Sequence, residues 1–165
     1  MYIPGQKVTL RPTTRPDLPL LLTLWNDGRV MRWVGFPDGL GYDLARMNAW
    51  YDRLQTQPHR HHFMVEHPTL GFCGETYYSA DFTHHRAGLD IKLIPGVQGR
   101  GLATDALNTL IAHIFAVEPE IHTVWTEPSA VNAAARALYT RCGLAPKPRP
   151  AELGEGEAYW ERKRA

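Results

Sequence analysis

A glycine-rich bend between an apolar strand and an amphipathic helix constrains this chain more than any other feature. Residues 89–115 read LDIKLIPGVQGRGLATDALNTLIAHIF. A short apolar strand ends at Ile94 and Pro95, and a helix with Ala106, Leu110 and Ile114 on one side begins at Leu102. A bend of this kind leaves backbone N–H groups unpaired, and the helix start adds the positive end of its dipole. Gly99 and Gly101 let an anion come close to the main chain. A phosphate-bearing ligand is the first expectation.

Three other uses of the bend compete with that one. A nucleoside-triphosphate loop is excluded, because no Lys-Ser or Lys-Thr pair follows the glycines. A dinucleotide fingerprint is closer, since Gly99-Arg100-Gly101 opens a helix and Glu127 lies at the end of the next strand. Yet Thr104 stands where a third glycine or alanine belongs, Pro95 to Gln98 separate strand from turn, and only one crossover unit is present. The bland alternative is a tight left-handed turn that binds nothing. Gln98, Gly99 and Gly101 would cost much chain entropy for a mere connection.

The rest of the chain supplies a frame. Lys7 to Arg11 alternates as a strand, and Thr14-Arg15-Pro16-Asp17 has the hydroxyl, proline and acid of a helix start. Leu18, Leu21, Leu22 and Trp25 follow at helical spacing until Asn26-Asp27-Gly28. Val30 to Leu40 reads as an ordered loop, and Tyr42 to Leu54 as a helix with Leu44, Met47, Tyr51 and Leu54 inward. Strands are expected over His62–Glu66 (Phe63 and Val65 inward), Leu70–Ser79, Ala87–Ile94 and Ile121–Thr126. A helix near Val131–Arg141 closes at Gly143, and Ala158–Arg162 is a candidate last strand beyond the prolines of residues 146–150. Antiparallel hairpins first and one strand–helix–strand crossover later predict a mixed α/β (α+β) sheet with helices on its faces.

Composition narrows the partners. The 165 residues suit one domain spanning 1–165, and 44% hydrophobic with 21% charged residues is an ordinary globular balance. A net charge of +1 argues against nucleic acid and an anionic membrane surface. No apolar run is long enough to span a bilayer, and residues 1–6 lack a signal peptide's layout. Two cysteines, Cys73 and Cys142, make no disulfide framework, so a cytoplasmic setting is expected.

Two blocks carry a family resemblance. Gln98-Gly99-Arg100-Gly101-Leu102-Ala103 fits the Gln/Arg-x-x-Gly-x-Gly/Ala signature of the GNAT superfamily of acetyl-coenzyme A-dependent N-acyltransferases. Asn132, Ala135, Leu138 and Tyr139, followed by Arg141-Cys142-Gly143-Leu144, resemble that family's Asn-x-x-Ala-x-x-Leu-Tyr-x-x-x-Gly-Phe segment, with Leu144 in place of phenylalanine. Leu10-Arg11-Pro12 with Asp17 and Leu18, and Val30-Met31-Arg32, are similar to the branch of ribosomal-protein N-terminal and spermidine acetyltransferases.

The resemblance implies a twisted, mostly antiparallel sheet of about six to seven strands, splayed between the fourth and fifth, with about four flanking helices. It places acetyl-coenzyme A (acetyl-CoA) as co-substrate, its pyrophosphate on the amides of Gln98 to Thr104 with Arg100 as a charged contact. The pantetheine arm would pair with the strand edge at Leu93 and Ile94, where one amide holds a developing oxyanion. Asn132 would hydrogen-bond that arm, although it reads equally as a helix N-cap. Tyr139 would give a proton to the leaving thiolate, against the plainer reading of a packed core tyrosine. The tail after Ala145 is short and proline-rich, which puts the family's final hairpin in doubt.

Attack needs a neutral amine, and an amine with a pKa near ~10 costs about 4 kcal/mol to deprotonate at neutral pH. Glu75 on the third strand and Asp90 on the fourth are the candidate general bases; either could equally be a solvated carboxylate. Trp33 and Phe36, on a loop that covers the acceptor cleft in the family, are candidate substrate contacts, while Trp25 reads as core. His59, His61 and His62, and His84 and His85, have no cysteine partners at zinc spacing, and no metal is expected. Cys73 and Cys142 read as inert. The resulting expectation is direct acetyl transfer to a polyamine, an aminoglycoside-like amine or a protein N-terminus, with a homodimer left open. A non-catalytic coenzyme A sensor and a nucleotide-dependent oxidoreductase are the competing readings.

Overall fold

In the computed structural model, which describes residues 1–165, β1 (Ile3–Pro4) and β2 (Thr9–Pro12) form a short antiparallel pair. The chain then leaves the sheet for α1 (Leu18–Trp25), α2 (Gly28–Met31) and α3 (Leu44–Gln55). It returns as an antiparallel meander of β3 (Arg60–His67), β4 (Gly71–Asp81) and β5 (Arg86–Leu93). After α4 (Leu102–Val117), β6 (Thr123–Thr126) lies parallel to β5. α5 (Ala133–Arg141), β7 (Ala145–Lys147) and β8 (Tyr159–Lys163) complete a sheet ordered β1-β2-β3-β4-β5-β6-β8-β7.

The two strands beyond the expected count are two-residue β1 and three-residue β7, so the splay falls between β5 and β6 in this numbering. The final hairpin, doubtful in the sequence, forms: Ala145, Pro146 and Lys147 pair with Glu161, Trp160 and Tyr159. Pro146 is accommodated because β7 is an edge strand.

Each sheet face has its own core. Phe63 and Val65 pack with Leu107, Leu110, Ile111 and Ile114 of α4, while Met64 packs with Leu18, Leu21, Trp25 and Met47 of α1 and α3. Residues 62 to 65 of β3 are therefore buried on both faces, where alternation alone made only Phe63 and Val65 inward. Leu44, expected inward on α3, is 48% exposed at that helix's first position.

Local chemistry starts these elements as the residues predict. Asp17 accepts the Thr14 N–H at 2.8 Å and the Thr14 hydroxyl at 2.9 Å ahead of α1. The expected loop after α1 instead opens with a four-residue helix, α2, because the Asp27 side chain caps the Arg29 N–H at 2.9 Å. No helix is long and apolar enough to cross a membrane.

Four hydrogen bonds brace the bend. The Asp105 carboxylate accepts N–H bonds from Gln6, Lys7 and Val8 at 3.0, 2.7 and 2.9 Å, tying the first hairpin to α4. Lys7 Nζ then donates to the Arg100 carbonyl at 3.2 Å. On the adjacent strand, a Cβ on Gly74 would stand 2.0 Å from the Lys92 carbonyl, so only glycine permits β4 and β5 to meet there.

Candidate active site

Pairing between β5 and β6 stops early. Only Arg86, Ala87 and Gly88 face β6 residues, while β5 keeps its β4 partners as far as Leu93. The Ile94 N–H donates to the Cys73 carbonyl on the β4 side at 2.9 Å, and the Asp90 carbonyl accepts from Thr76 Oγ1 at 2.7 Å. Alternation then turns the main-chain groups of Leu89, Ile91 and Leu93 toward the gap. Leu93 stands where the sequence reading placed a pairing amide. Ile94 does not, because its N–H is already spent on β4.

The bend presents donors to the end of this gap. The N–H groups of Gly99, Arg100, Gly101, Leu102, Ala103 and Thr104 donate to no protein acceptor. Gly99 and Gly101 have φ of 81° and 76°, a left-handed geometry that turns successive amides to one side before α4 begins. Arg141, from the last turn of α5, donates to Thr104 Oγ1 at 3.3 Å and lines the same space. Arg100, the charged contact expected from the sequence, does not line it, whereas Arg141 does.

A cleft of about 600 Å³ runs from the bend through the gap to the α1–α3 face of the sheet. Gln98, Gly99, Gly101, Leu102, Ala103 and Thr104 line one end, with Asn132, Leu138 and Tyr139 of the α5 segment opposite. Asp90, Lys92 and Trp33 line the other end. Asn132 Oδ1 accepts the Ala135 N–H at 3.0 Å, so the residue is a helix cap, and its amide nitrogen remains free to donate.

Tyr139 is 4% exposed. Burial first and the Asp90 carboxylate second push its phenol above the usual tyrosine range, against a hydrogen bond from Thr126. The phenol is protonated at neutral pH, so it is available as a proton or hydrogen-bond donor and not as a base. Lys92 is ion-paired with Asp90 and lies 3.9 Å from Glu75. Burial pulls the Lys92 ammonium down, but Asp90 and Glu75 outweigh it and hold the group above the ordinary lysine range.

Glu75 is not in the cleft. It is 3% exposed beneath α1, where Trp25 Nε1 donates to Oε1 at 2.9 Å and His62 Nε2 to Oε2 at 2.8 Å. His62 Nδ1 in turn hydrogen-bonds Thr13 Oγ1 at 2.7 Å. Both Glu75 oxygens are engaged and the residue does not line the cleft, whereas Asp90, the other expected base, does. Phe36, 44% exposed on its loop, likewise lies off the cleft wall, whereas its neighbour Trp33 is on it.

Lys92, Arg32, Arg141 and Thr126 were not expected at the site. Arg141 and Arg32 fall inside segments that carry the resemblance and were recognisable there, but nothing local marks Lys92 or Thr126. Cys73 and Cys142 are buried, and burial raises both thiols, Cys142 to about 11. No three His, Cys, Asp or Glu side chains are gathered to hold a metal ion.

Residues 7–145 match the family described as acetyltransferase (GNAT) domain. No protein of curated function matches the chain by sequence at a significant level. Among solved structures, spermidine N-acetyltransferase from Vibrio cholerae, in complex with CoA and spermine, superposes with a TM-score of 0.82 at 21% identity over 96% of each chain. Aminoglycoside acetyltransferase AAC(6')-Ib in complex with coenzyme A superposes with a TM-score of 0.78 at 23% identity over 95% of each chain. A GNAT-family acetyltransferase from Bacillus anthracis gives 0.78 at 15% identity, over 99% of this chain and 98% of the other.

Proposed function

Because the chain belongs to the GNAT acetyltransferase family, we propose that its single domain transfers an acetyl group directly from acetyl-CoA to a primary amine. The observation that carries this reading is the continuity of the site: the unpaired amides of Gly99 and of Gly101 to Thr104, the open edge at Leu93 and the Tyr139 phenol share one cleft. Six free N–H groups at a helix start, with Arg141 beside them, match the charge and hydrogen-bond demand of a diphosphate. The two solved neighbours named above with bound coenzyme A support the same assignment.

Acetyl-CoA, when bound, supplies an activated acyl carbon and a sulfur leaving group. The chain's own residues supply the rest. The Leu93 N–H, free on the gap side of β5, is a fixed donor for a carbonyl oxygen that gains negative charge. Asp90, reached through water, accepts the proton that the acceptor ammonium must lose. As the C–N bond forms and the C–S bond breaks, Tyr139 donates its phenolic proton to the departing sulfur, and the proton shed by the new amide nitrogen restores the phenol. Asn132 steadies the carrier arm through its free amide nitrogen.

The amine class follows the neighbours, whose names specify spermidine and aminoglycosides, with a peptide N-terminus as the third member. A cytoplasmic setting, with two unpaired cysteines, and assembly as a homodimer complete the reading. Thiol-release kinetics with acetyl-CoA across polyamines, aminoglycosides and N-terminal peptides test it. Turnover with any of these supports transfer. Binding of acetyl-CoA without turnover on any amine would favour the sensor reading.

A further inference from the structure

The acceptor end of the cleft carries one unpaired charge, and it is positive. Arg29, Arg32, Lys92 and Arg141 line the cleft against two carboxylates, Asp90 and Glu127. Both carboxylates are engaged: Asp90 pairs with Lys92, and Glu127 with Arg149 at 3.0 Å. Arg141 serves the bend, and Arg29 is neutralised by Asp27 at 2.8 Å. Arg32 remains. It stands on the short turn Arg32–Val34, has no ion-pair partner, and lies over the Trp33 ring at 4.4 Å. A polycation entering here would meet the unpaired charge of Arg32 and no unpaired carboxylate.

We propose that the acceptor is a primary amine bearing an anionic group, a carboxylate or a phosphate, which Arg32 recognises, rather than a polyamine or another polycation. This rests on the acetyl-transfer reading above and narrows its substrate. Trp33 holds the guanidinium plane in place, which prepares Arg32 for bidentate pairing with an oxyanion.

The test compares matched acceptors by thiol release: 4-aminobutanoate against 1,4-diaminobutane, phosphoethanolamine against ethylenediamine, and the peptide Ser-Glu-Glu against Ser-Lys-Lys. These pairs separate a carboxylate from a phosphate and a small molecule from a peptide. The expected result is a kcat/KM at least about tenfold higher for the anionic member of one or more pairs. Arg32→Glu should reverse that preference and leave the KM for acetyl-CoA unchanged. Arg32 is exposed and its side chain makes no hydrogen bond, so the variant should fold, which its circular dichroism checks. A preference of the wild type for the cationic member, or an Arg32→Glu variant whose ratio shifts less than about twofold, would overturn the inference while leaving acetyl transfer intact. Turnover with none of the amines would overturn acetyl transfer, and the inference with it.

Discussion

Replacing Glu75 by alanine should unfold this protein more readily without touching the chemistry of transfer. The carboxylate accepts from Trp25 and His62 at 2.9 and 2.8 Å and faces Lys92 at 3.9 Å, with 3% of the residue exposed. Its removal leaves a buried indole N–H and the buried His62 Nε2 without partners and strips Lys92 of one counter-charge. Losing one member of a buried pair costs about 3–5 kcal/mol. For a chain of this size that is a fall in Tm of roughly 6–20 °C. Glu75→Gln is the milder variant: its amide oxygen can accept from Trp25 and its amide N–H can donate to His62 Nε2, whose Nδ1–H then donates to Thr13. A cost of about 1–2 kcal/mol is expected for it. Burial works to raise the Glu75 carboxyl, but His62, Lys92 and Trp25 outweigh it and hold it below the ordinary 4.5. A carboxyl lowered by folding stabilises above its unfolded pKa and loses that contribution as pH falls through its folded value. The advantage of wild type over Glu75→Gln should therefore be full above pH 4.5 and shrink below it. Urea denaturation at pH 7 and at pH 3.5, with kcat measured where each variant is folded, checks both parts. Glu75→Ala within about 0.5 kcal/mol of wild type, but with kcat lowered a hundredfold, would refute the reasoning and return Glu75 to the role of base.

Tyr139→Phe should lower kcat by about 10²–10⁴ while changing acetyl-CoA affinity less than twofold, read by thiol release and calorimetry. Asn132→Asp keeps the oxygen that caps Ala135 but lacks the amide donor, so it should retain stability and raise the KM for acetyl-CoA; Asn132→Ala should do the latter and also lose about 1 kcal/mol. Asp105→Ala releases three amides of the first hairpin and should cost about 2 kcal/mol, discounted for partial exposure. Burial raises the Asp105 carboxyl less than those amides lower it, so the difference from wild type should be full above pH 3.8 and fade below it, as denaturation at two pH values would reveal.

The parts of the fold legible in the sequence are those whose signal is local. The bend and α4 stood out because Gly99 and Gly101 interrupt one period and Ala106, Leu110 and Ile114 begin another. Thr14 and Asp17 announced α1 for the same reason. α2 escaped because four residues are too few to show a period, and its only mark is the Asp27 cap. The site split along the same line. Asp90 and Glu75 are both acids on neighbouring strands, and what separates them is Trp25, 50 positions away from Glu75, and His62, 13 away. Pairing choices of that range leave no trace in spacing. Leu93 and Ile94 differ only in which neighbour their amides face, and the Cys73 carbonyl that decides it belongs to another strand. Phe36 and Trp33 are both aromatics on one loop, and only the packed chain puts one on the cleft wall.

The central claim is that the amides of the bend grip the diphosphate of an acyl carrier. Amide NMR of the labelled protein, titrated with acetyl-CoA, tests it directly. Saturable shifts are predicted at Gly99 to Thr104 and at Leu93, with none from an equal concentration of NAD. Those seven signals holding still under excess acetyl-CoA would contradict the account.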